Sequence, residues 1–238
     1  MLGRSLLALS DVGCPQMRPS RVLVAGLVLL LALLACAAIP AVSGSSASAG
    51  ASRVKVSYFV EAYCPRCIDV LTNSLAAALR KVGAIVELEV VPFGNGQEKG
   101  GVLTCQHGAR ECQANTVQAC AQSLYPSQNQ WFAFIVCMEK QRDPLRAGLA
   151  CANMHGMDYA RISACASGPQ GAALLMKNAR RTLDLEPTNK YVPWITVNNQ
   201  PFEDPENIVA AICSQYTGLD KLRWCNQQTM ARYVPGQK

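Results

Sequence analysis

Histidines, aromatic side chains and clustered charge are all scarce in this chain of 238 residues. Only two histidines, His107 and His155, and one Cys-x-x-Cys are present, so no second ligand pair stands at zinc spacing and no metal is implied. Aromatics make up 6% of the residues and hydrophobic residues 50%, as in a folded soluble domain that carries one apolar segment. The net charge is +6, yet the basic residues are scattered without a long cationic run, which argues against nucleic acid as a partner. Arg4, Arg18, Arg21 and Asp11 supply two of those charges from the N-terminal segment. There is no Asn-x-Ser/Thr sequon, so an exported copy would carry no N-glycan. Internal repeats are absent as well.

Apolar residues cluster in one place, Val22 to Ile39, behind Arg18 and Arg21 and ahead of a small-residue stretch, Ala41-Val42-Ser43-Gly44 and Ala47-Ser48-Ala49-Gly50. Basic, apolar, then small is the order of a secretory signal peptide. Residues 1–49 are therefore expected to be signal and leader, cut between Ala37 and Gly50, with residues 50–238 as the functional domain. Met17-Arg18-Pro19-Ser20-Arg21 would itself make a compact basic start, so initiation at Met17 is an alternative. An uncleaved anchor is the other rival, because 18 apolar residues lie at the lower limit of a membrane span. Unless that anchor is retained, no stable membrane partner is expected.

Cysteine is the abundant residue, with 12 in the chain. Removal of the leader would take Cys14 and Cys36. Of the rest, Cys64 and Cys67 form Tyr63-Cys64-Pro65-Arg66-Cys67. Cys105, Cys112, Cys120, Cys137, Cys151, Cys165, Cys213 and Cys225 remain, an even number that suits a disulfide framework in an oxidising compartment. They are expected to pair among themselves and not with Cys64 or Cys67. Cys213–Cys225 is the favoured pair, since the chain turns back near Gly218.

Val54 to Ala62 alternates as a strand; Pro65 to Val82 reads as a helix with Gly83 as its C-cap; Ile85 to Val91 is a second strand. The Cys-x-x-Cys sits at the switch of this β-α-β unit. There the orphan N–H groups of a helix start favour a thiolate on Cys64, and Arg66 adds a cation. Near the C-terminus, Trp194 to Val197 and Gln200 to Phe202 flank Asn198-Asn199, a hairpin signal, and Asp204-Pro205-Glu206 starts a helix that reaches about Tyr216. This order of elements predicts an α/β fold with a thioredoxin-like sheet. Residues 94–190 carry helical periodicity, with helices over Gly108–Leu124, Trp131–Glu139, Tyr159–Ala166 and Gln170–Leu185, and predict a disulfide-stapled helical insertion. In thioredoxin-like enzymes a cis-proline loop faces the dithiol. Val192-Pro193 stands in the right place for one, so a cis bond and a substrate-binding role are expected there.

The run Cys105-Gln106-His107-Gly108-Ala109-Arg110-Glu111-Cys112-Gln113-Ala114-Asn115, followed by Cys120, adds something more specific. It resembles the signature of the gamma-interferon-inducible lysosomal thiol reductases, Cys-Gln-His-Gly-x2-Glu-Cys-x2-Asn-x4-Cys, at every fixed position. The resemblance extends from about Val54 to Cys225, through Val136-Cys137-Met138-Glu139 and Tyr191-Val192-Pro193-Trp194-Ile195-Thr196-Val197-Asn198. It implies a soluble thioredoxin-like reductase of protein disulfides that works in acidic endocytic compartments, with Cys64 and Cys67 as the active pair and the signature in a structural role. Mammalian members rely on glycan tags for lysosomal sorting, and the missing sequons depart from that pattern. Lysosomal and secreted destinations therefore both stay open.

The chemistry expected is thiol–disulfide exchange. Cys64 attacks a substrate disulfide, Cys67 resolves the mixed disulfide, and a small thiol such as cysteine or glutathione restores the dithiol. At about pH 5 an ordinary thiol is under roughly 0.1% ionised, so such an enzyme must depress the Cys64 pKa. No organic cofactor is needed. A secreted disulfide oxidase or isomerase, and a non-enzymatic binding protein with an inert Cys64–Cys67 bond, are the alternatives.

Overall fold

The structure, a computed structural model, describes residues 52–226; the expected leader, the initiation alternative at Met17 and the apolar run Val22 to Ile39 lie outside them. A four-stranded sheet runs in the order β2-β1-β5-β6, with β1 Val54–Val60, β2 Val86–Pro92, β5 Trp194–Val197 and β6 Gln200–Phe202. β1 and β2 are parallel, Val54 opposite Val86 and Val60 opposite Pro92. β5 returns antiparallel, with Phe59 opposite Trp194, and turns into β6 through Asn198 (φ 48°) and Asn199 (φ 64°). Two left-handed asparagines give the twist a two-residue hairpin requires.

β1 is the strand its alternation predicts, and six of its seven residues are buried. Being central, the strand is covered on both sides. Val56 and Tyr58 enter the main core, while Phe59 meets Val91 and Trp194 on the other face, with the Arg181 guanidinium over its ring at 5.6 Å.

Cys64 leads directly into one helical rod, composed of α1 (Pro65–Asp69), a π-helical turn (Val70–Leu75) and α2 (Ala76–Val82). Val70, Leu71, Leu75, Ala78 and Val82 line its buried side. Full burial of a side chain such as Leu71 stabilises by about 1.5–3 kcal/mol. Gly83 is the C-cap, as expected, in right-handed backbone (φ −58°), and it opens a 3₁₀ turn, Gly83–Ile85, that feeds β2.

Between β2 and β5 lies the insertion. It begins with an unforeseen hairpin, β3 (Gln97–Lys99) and β4 (Val102–Thr104), turned by Gly100 and Gly101 at positive φ. Five helices follow: α3 (Ala109–Leu124), α4 (Gln128–Glu139), α5 (Pro144–Met154), α6 (Tyr159–Ser167) and α7 (Pro169–Leu183). α5 was not expected, although Asp143 caps it through the Arg146 N–H and Pro144 occupies its first turn. After β6 the chain enters α8 (Ile208–Gln215) through a 3₁₀ turn, Pro205–Asn207, and ends with a short α9 (Lys221–Trp224). Asp204 does not cap α8 as expected; its carboxylate accepts from Asn207 Nδ2 at 2.7 Å. Among the described residues no helix is long and apolar enough to cross a membrane.

Candidate active site

Cys64 is the N-cap of α1, in extended backbone (φ −77°, ψ 116°), with Pro65 in the first turn. Its Sγ accepts the Cys67 N–H at 3.3 Å. Neither cysteine is bridged, and both join the apolar core. Cys64 keeps 8% of its surface exposed and Cys67 only 1%, which makes Cys64 the sulfur a substrate can reach.

Their environments push the two thiols apart. Cys64 is lowered to about 7, first by the hydrogen bond from the Cys67 thiol and then, against the cost of burial, by the Cys67 and Arg66 backbone N–H groups. Cys67 is driven upward, chiefly by its burial and then by its hydrogen bond to Cys64. The Arg66 side chain does not play the part expected of it. Its guanidinium turns outward to Asp69 (2.5 Å) and Glu206 (3.1 Å), so the peptide N–H of Arg66 favours the thiolate while the cation is spent on two carboxylates.

The three residues before Cys64 are held by the insertion. Ala62 N–H donates to Asn115 Oδ1 at 2.9 Å. Asn115 Nδ2 donates to Glu111 Oε1 at 3.3 Å, and Glu111 Oε2 accepts from His107 N at 2.6 Å and meets His107 Nδ1 at 2.7 Å. Gly108, at φ 84° and ψ −168°, occupies a backbone region open essentially to glycine alone, which lets the chain turn from His107 into α3. Glu61, raised by burial, accepts from Asn95 N at 2.7 Å and lies 3.7 Å from His107 Nδ1. Tyr63, next to Cys64, has φ 68°, and its hydroxyl donates to Asp143 Oδ1 at 2.9 Å; Arg110 donates to the other oxygen at 2.5 Å. The His-Gly-x2-Glu-x3-Asn part of the signature thus forms a polar brace for the dithiol loop.

Glu61, His107 and Glu111 offer ligand atoms within 4.8 Å of one another. Their oxygens already accept from Asn95, His107 and Asn115, so the cluster is accounted for as that brace. Two further groups escaped the sequence reading. The Tyr58 hydroxyl donates to the Cys67 carbonyl at 2.7 Å inside the core. Glu139, at the end of α4, is buried and accepts from Gln118 Nε2 at 2.5 Å. An acidic residue closing an apolar run, Trp131 to Met138, was the available signal.

The Val192–Pro193 bond is cis; Pro193 is buried, and Val192 packs on the apolar cluster that includes Cys64 and Cys67. Among the described residues the structure pairs the eight remaining cysteines as Cys105–Cys112, Cys120–Cys165, Cys137–Cys151 and Cys213–Cys225. The last is the favoured pair. None reaches Cys64 or Cys67.

The fold is similar to solved thiol–disulfide proteins. A thioredoxin-like oxidoreductase from Silicibacter pomeroyi DSS-3 superposes with a TM-score of 0.50 at 14% identity, covering 69% of this chain and 86% of that one. Chlamydia trachomatis DsbA gives 0.52 at 12% identity, over 69% and 85%. In sequence, residues 55–155 match the model of the gamma interferon inducible lysosomal thiol reductase family. A gamma-interferon-responsive lysosomal thiol protein of Arabidopsis thaliana is 31% identical over 78% of this chain and 81% of its own length. The gamma-interferon-inducible lysosomal thiol reductase of Mus musculus is 34% identical over 73% and 72%. A dithiol at a helix start, in a thioredoxin-like sheet, with relatives of this identity over most of their length, leaves one assignment: the chain belongs to the gamma interferon inducible lysosomal thiol reductase family and is a thiol oxidoreductase.

Proposed function

We propose that this protein reduces disulfide bonds of protein substrates through Cys64 and Cys67, in an acidic endocytic or lysosomal compartment. The asymmetry of the pair supports this reading: the more exposed sulfur is the one lowered to about 7, and the buried one holds its proton. Cys64 thiolate attacks one substrate sulfur, the substrate S–S bond breaks, and the departing thiolate takes a proton from water. Cys67 gives up its proton and attacks Cys64 Sγ, which releases the second substrate thiolate. Two electrons pass to the substrate, and the pair ends as a disulfide. Two equivalents of a small thiol such as cysteine or glutathione return it to the dithiol. The Val192-Pro193 segment, cis and beside the same core cluster, is the surface along which the substrate backbone would run.

The compartment is supported by the similarity to lysosomal thiol reductases and by a thiol lowered enough to keep some thiolate in acid. Without a sequon, delivery would use something other than an N-glycan tag. The test is reduction of insulin from acidic to neutral pH. The wild-type protein should work in acid, Cys64→Ser should not work at any pH, and Cys67→Ser should accumulate mixed disulfides. Undiminished reduction by Cys64→Ser would overturn the assignment.

A further inference from the structure

Among the large apolar side chains of the described residues, Leu219 and Leu222 are the most exposed, at 108% and 85%. They stand on the loop between α8 and α9 and on α9 itself, a segment closed by the Cys213–Cys225 disulfide. This tip is built rather than loose. A Cβ on Gly218 would come within 2.2 Å of the Tyr216 hydroxyl oxygen, so the turn admits glycine alone. The Tyr216 hydroxyl and Trp224 Nε1 donate to the two oxygens of Asp220, at 2.6 and 2.9 Å. The Lys221 N–H closes the turn on the Gly218 carbonyl at 3.0 Å, and the Arg223 guanidinium stacks on the Trp224 ring at 4.9 Å. From Asn207 to Lys238 the sequence holds one acid, Asp220, whose carboxylate is taken up by those two bonds; Lys221, Arg223, Arg232 and Lys238 are all basic.

We propose that this disulfide-closed tip is a reversible docking surface for an anionic lipid membrane, with Leu219 and Leu222 entering the headgroup boundary and Lys221 and Arg223 meeting the lipid charges. Two leucine side chains fall far short of the about 800 Å² per partner that a stable protein interface buries, which argues against a second copy of the chain as the cover. The segment after Asn226 is itself basic and has no charge to offer Lys221 and Arg223. A lipid surface needs no matching pocket. Affinity there grows with the apolar area inserted and with the attraction of basic residues to anionic headgroups. So small an apolar tip makes the attachment reversible rather than permanent. The dithiol stays clear of it: Glu206, just before α8, pairs with Arg66, and the 8 residues of α8 carry the chain about 12 Å onward to the tip. Docking is therefore independent of the exchange chemistry.

The experiment mixes the protein, as exported by expressing cells, with vesicles of phosphatidylcholine alone or with added phosphatidylserine, and reads Trp224 emission and the fraction that sediments. Trp131 and Trp194 are buried, so a blue shift reports the tip. The wild-type protein should sediment with the phosphatidylserine vesicles and shift its emission, several-fold more than with phosphatidylcholine alone. Leu219→Ser with Leu222→Ser should lose the shift and at least fivefold of the binding. Lys221→Gln with Arg223→Gln should lose several-fold and weaken the dependence on salt. Both variants should reduce insulin in solution as the wild type does. Absence of the shift on phosphatidylserine vesicles overturns the proposal, as does equal binding to neutral vesicles or a leucine variant that binds like the wild type. A concentration-dependent dimer in analytical ultracentrifugation, abolished by the leucine substitutions, overturns it in favour of a second copy. Failed insulin reduction with docking intact would instead count against the reductase reading.

Discussion

The sheet and the insertion use their sulfur in opposite ways. Of the four disulfides among the described residues, three lie wholly within the insertion, tying β4's exit to α3, α3 to α6 and α4 to α5. The fourth fastens the tail to α8. No disulfide crosses from the insertion to β1, β2 or α1; the sheet side instead carries the free pair, Cys64 and Cys67. A dithiol that opens and closes must not exchange with the bonds that hold its own domain. Separate placement meets that need, and noncovalent contacts then have to join the two regions. They do so at the dithiol loop, through Asn115 to Ala62, Asp143 to Tyr63 and Asn95 to Glu61.

The largest effect should come from breaking the labile side. Cys64→Ser is expected to remove disulfide reduction entirely while leaving thermal unfolding near wild type, read by insulin turbidity beside calorimetry. On the permanent side, Cys120→Ala with Cys165→Ala opens a sequence separation of 45 and should cost about 4 kcal/mol on the chain-entropy model. Cys105→Ala with Cys112→Ala, at a separation of 7, should cost about 2 kcal/mol. Equal losses in denaturant unfolding would mean that native-state strain, not loop length, sets these values.

Glu139 sharpens the comparison because it is a carboxyl that the insertion buries without any cation beside it. Its folded pKa, about 7, is raised above the ordinary carboxyl value of 4.5, so the native state holds a proton that the unfolded chain has released. Stability is then full below about pH 4.5 and falls as pH rises toward 7, by on the order of 3 kcal/mol, before levelling. Urea unfolding of the reduced protein should show that decline, and Glu139→Gln should flatten it. A smaller change is expected of Tyr63→Phe, which frees the residue before Cys64 from Asp143. Reduction should slow with little loss of global stability, because the loop but not the core is loosened. Smallest of all is Arg66→Gln: its paired, exposed guanidinium should contribute no more than about 1 kcal/mol, and the Cys64 alkylation midpoint should stay put. A rise in that midpoint would restore the cation to the role first expected of it.

The sheet strands were legible in the sequence because period-two patterning and the Asn198-Asn199 turn are local signals. The dithiol was legible for the same reason, since a strand, a Cys-x-x-Cys and a proline in the first helical turn are contiguous. Hairpin β3–β4 was missed because Gln97-Glu98-Lys99 has no apolar face to alternate, leaving only Gly100-Gly101 as a cue. α5 was missed although Asp143-Pro144 marks its start, because its 11 residues follow directly on α4 with little to separate them.

What the sequence determined by itself is the chemistry available: which residues can exchange electrons, the order of elements that sets a cysteine at a helix start, and a signature specific enough to mark a family. Tertiary structure alone decided which of those groups act on one another. Glu111, Asn115, Glu139 and Asp143 lie some 47 to 79 residues beyond Cys64 in the chain, and neither spacing nor periodicity encodes contacts at that distance. Burial also resides at that level. A carboxyl and a thiol have ordinary pKa values in the sequence, and only the removal of water around Glu139 and Cys67, with peptide N–H groups aimed at Cys64, moves them.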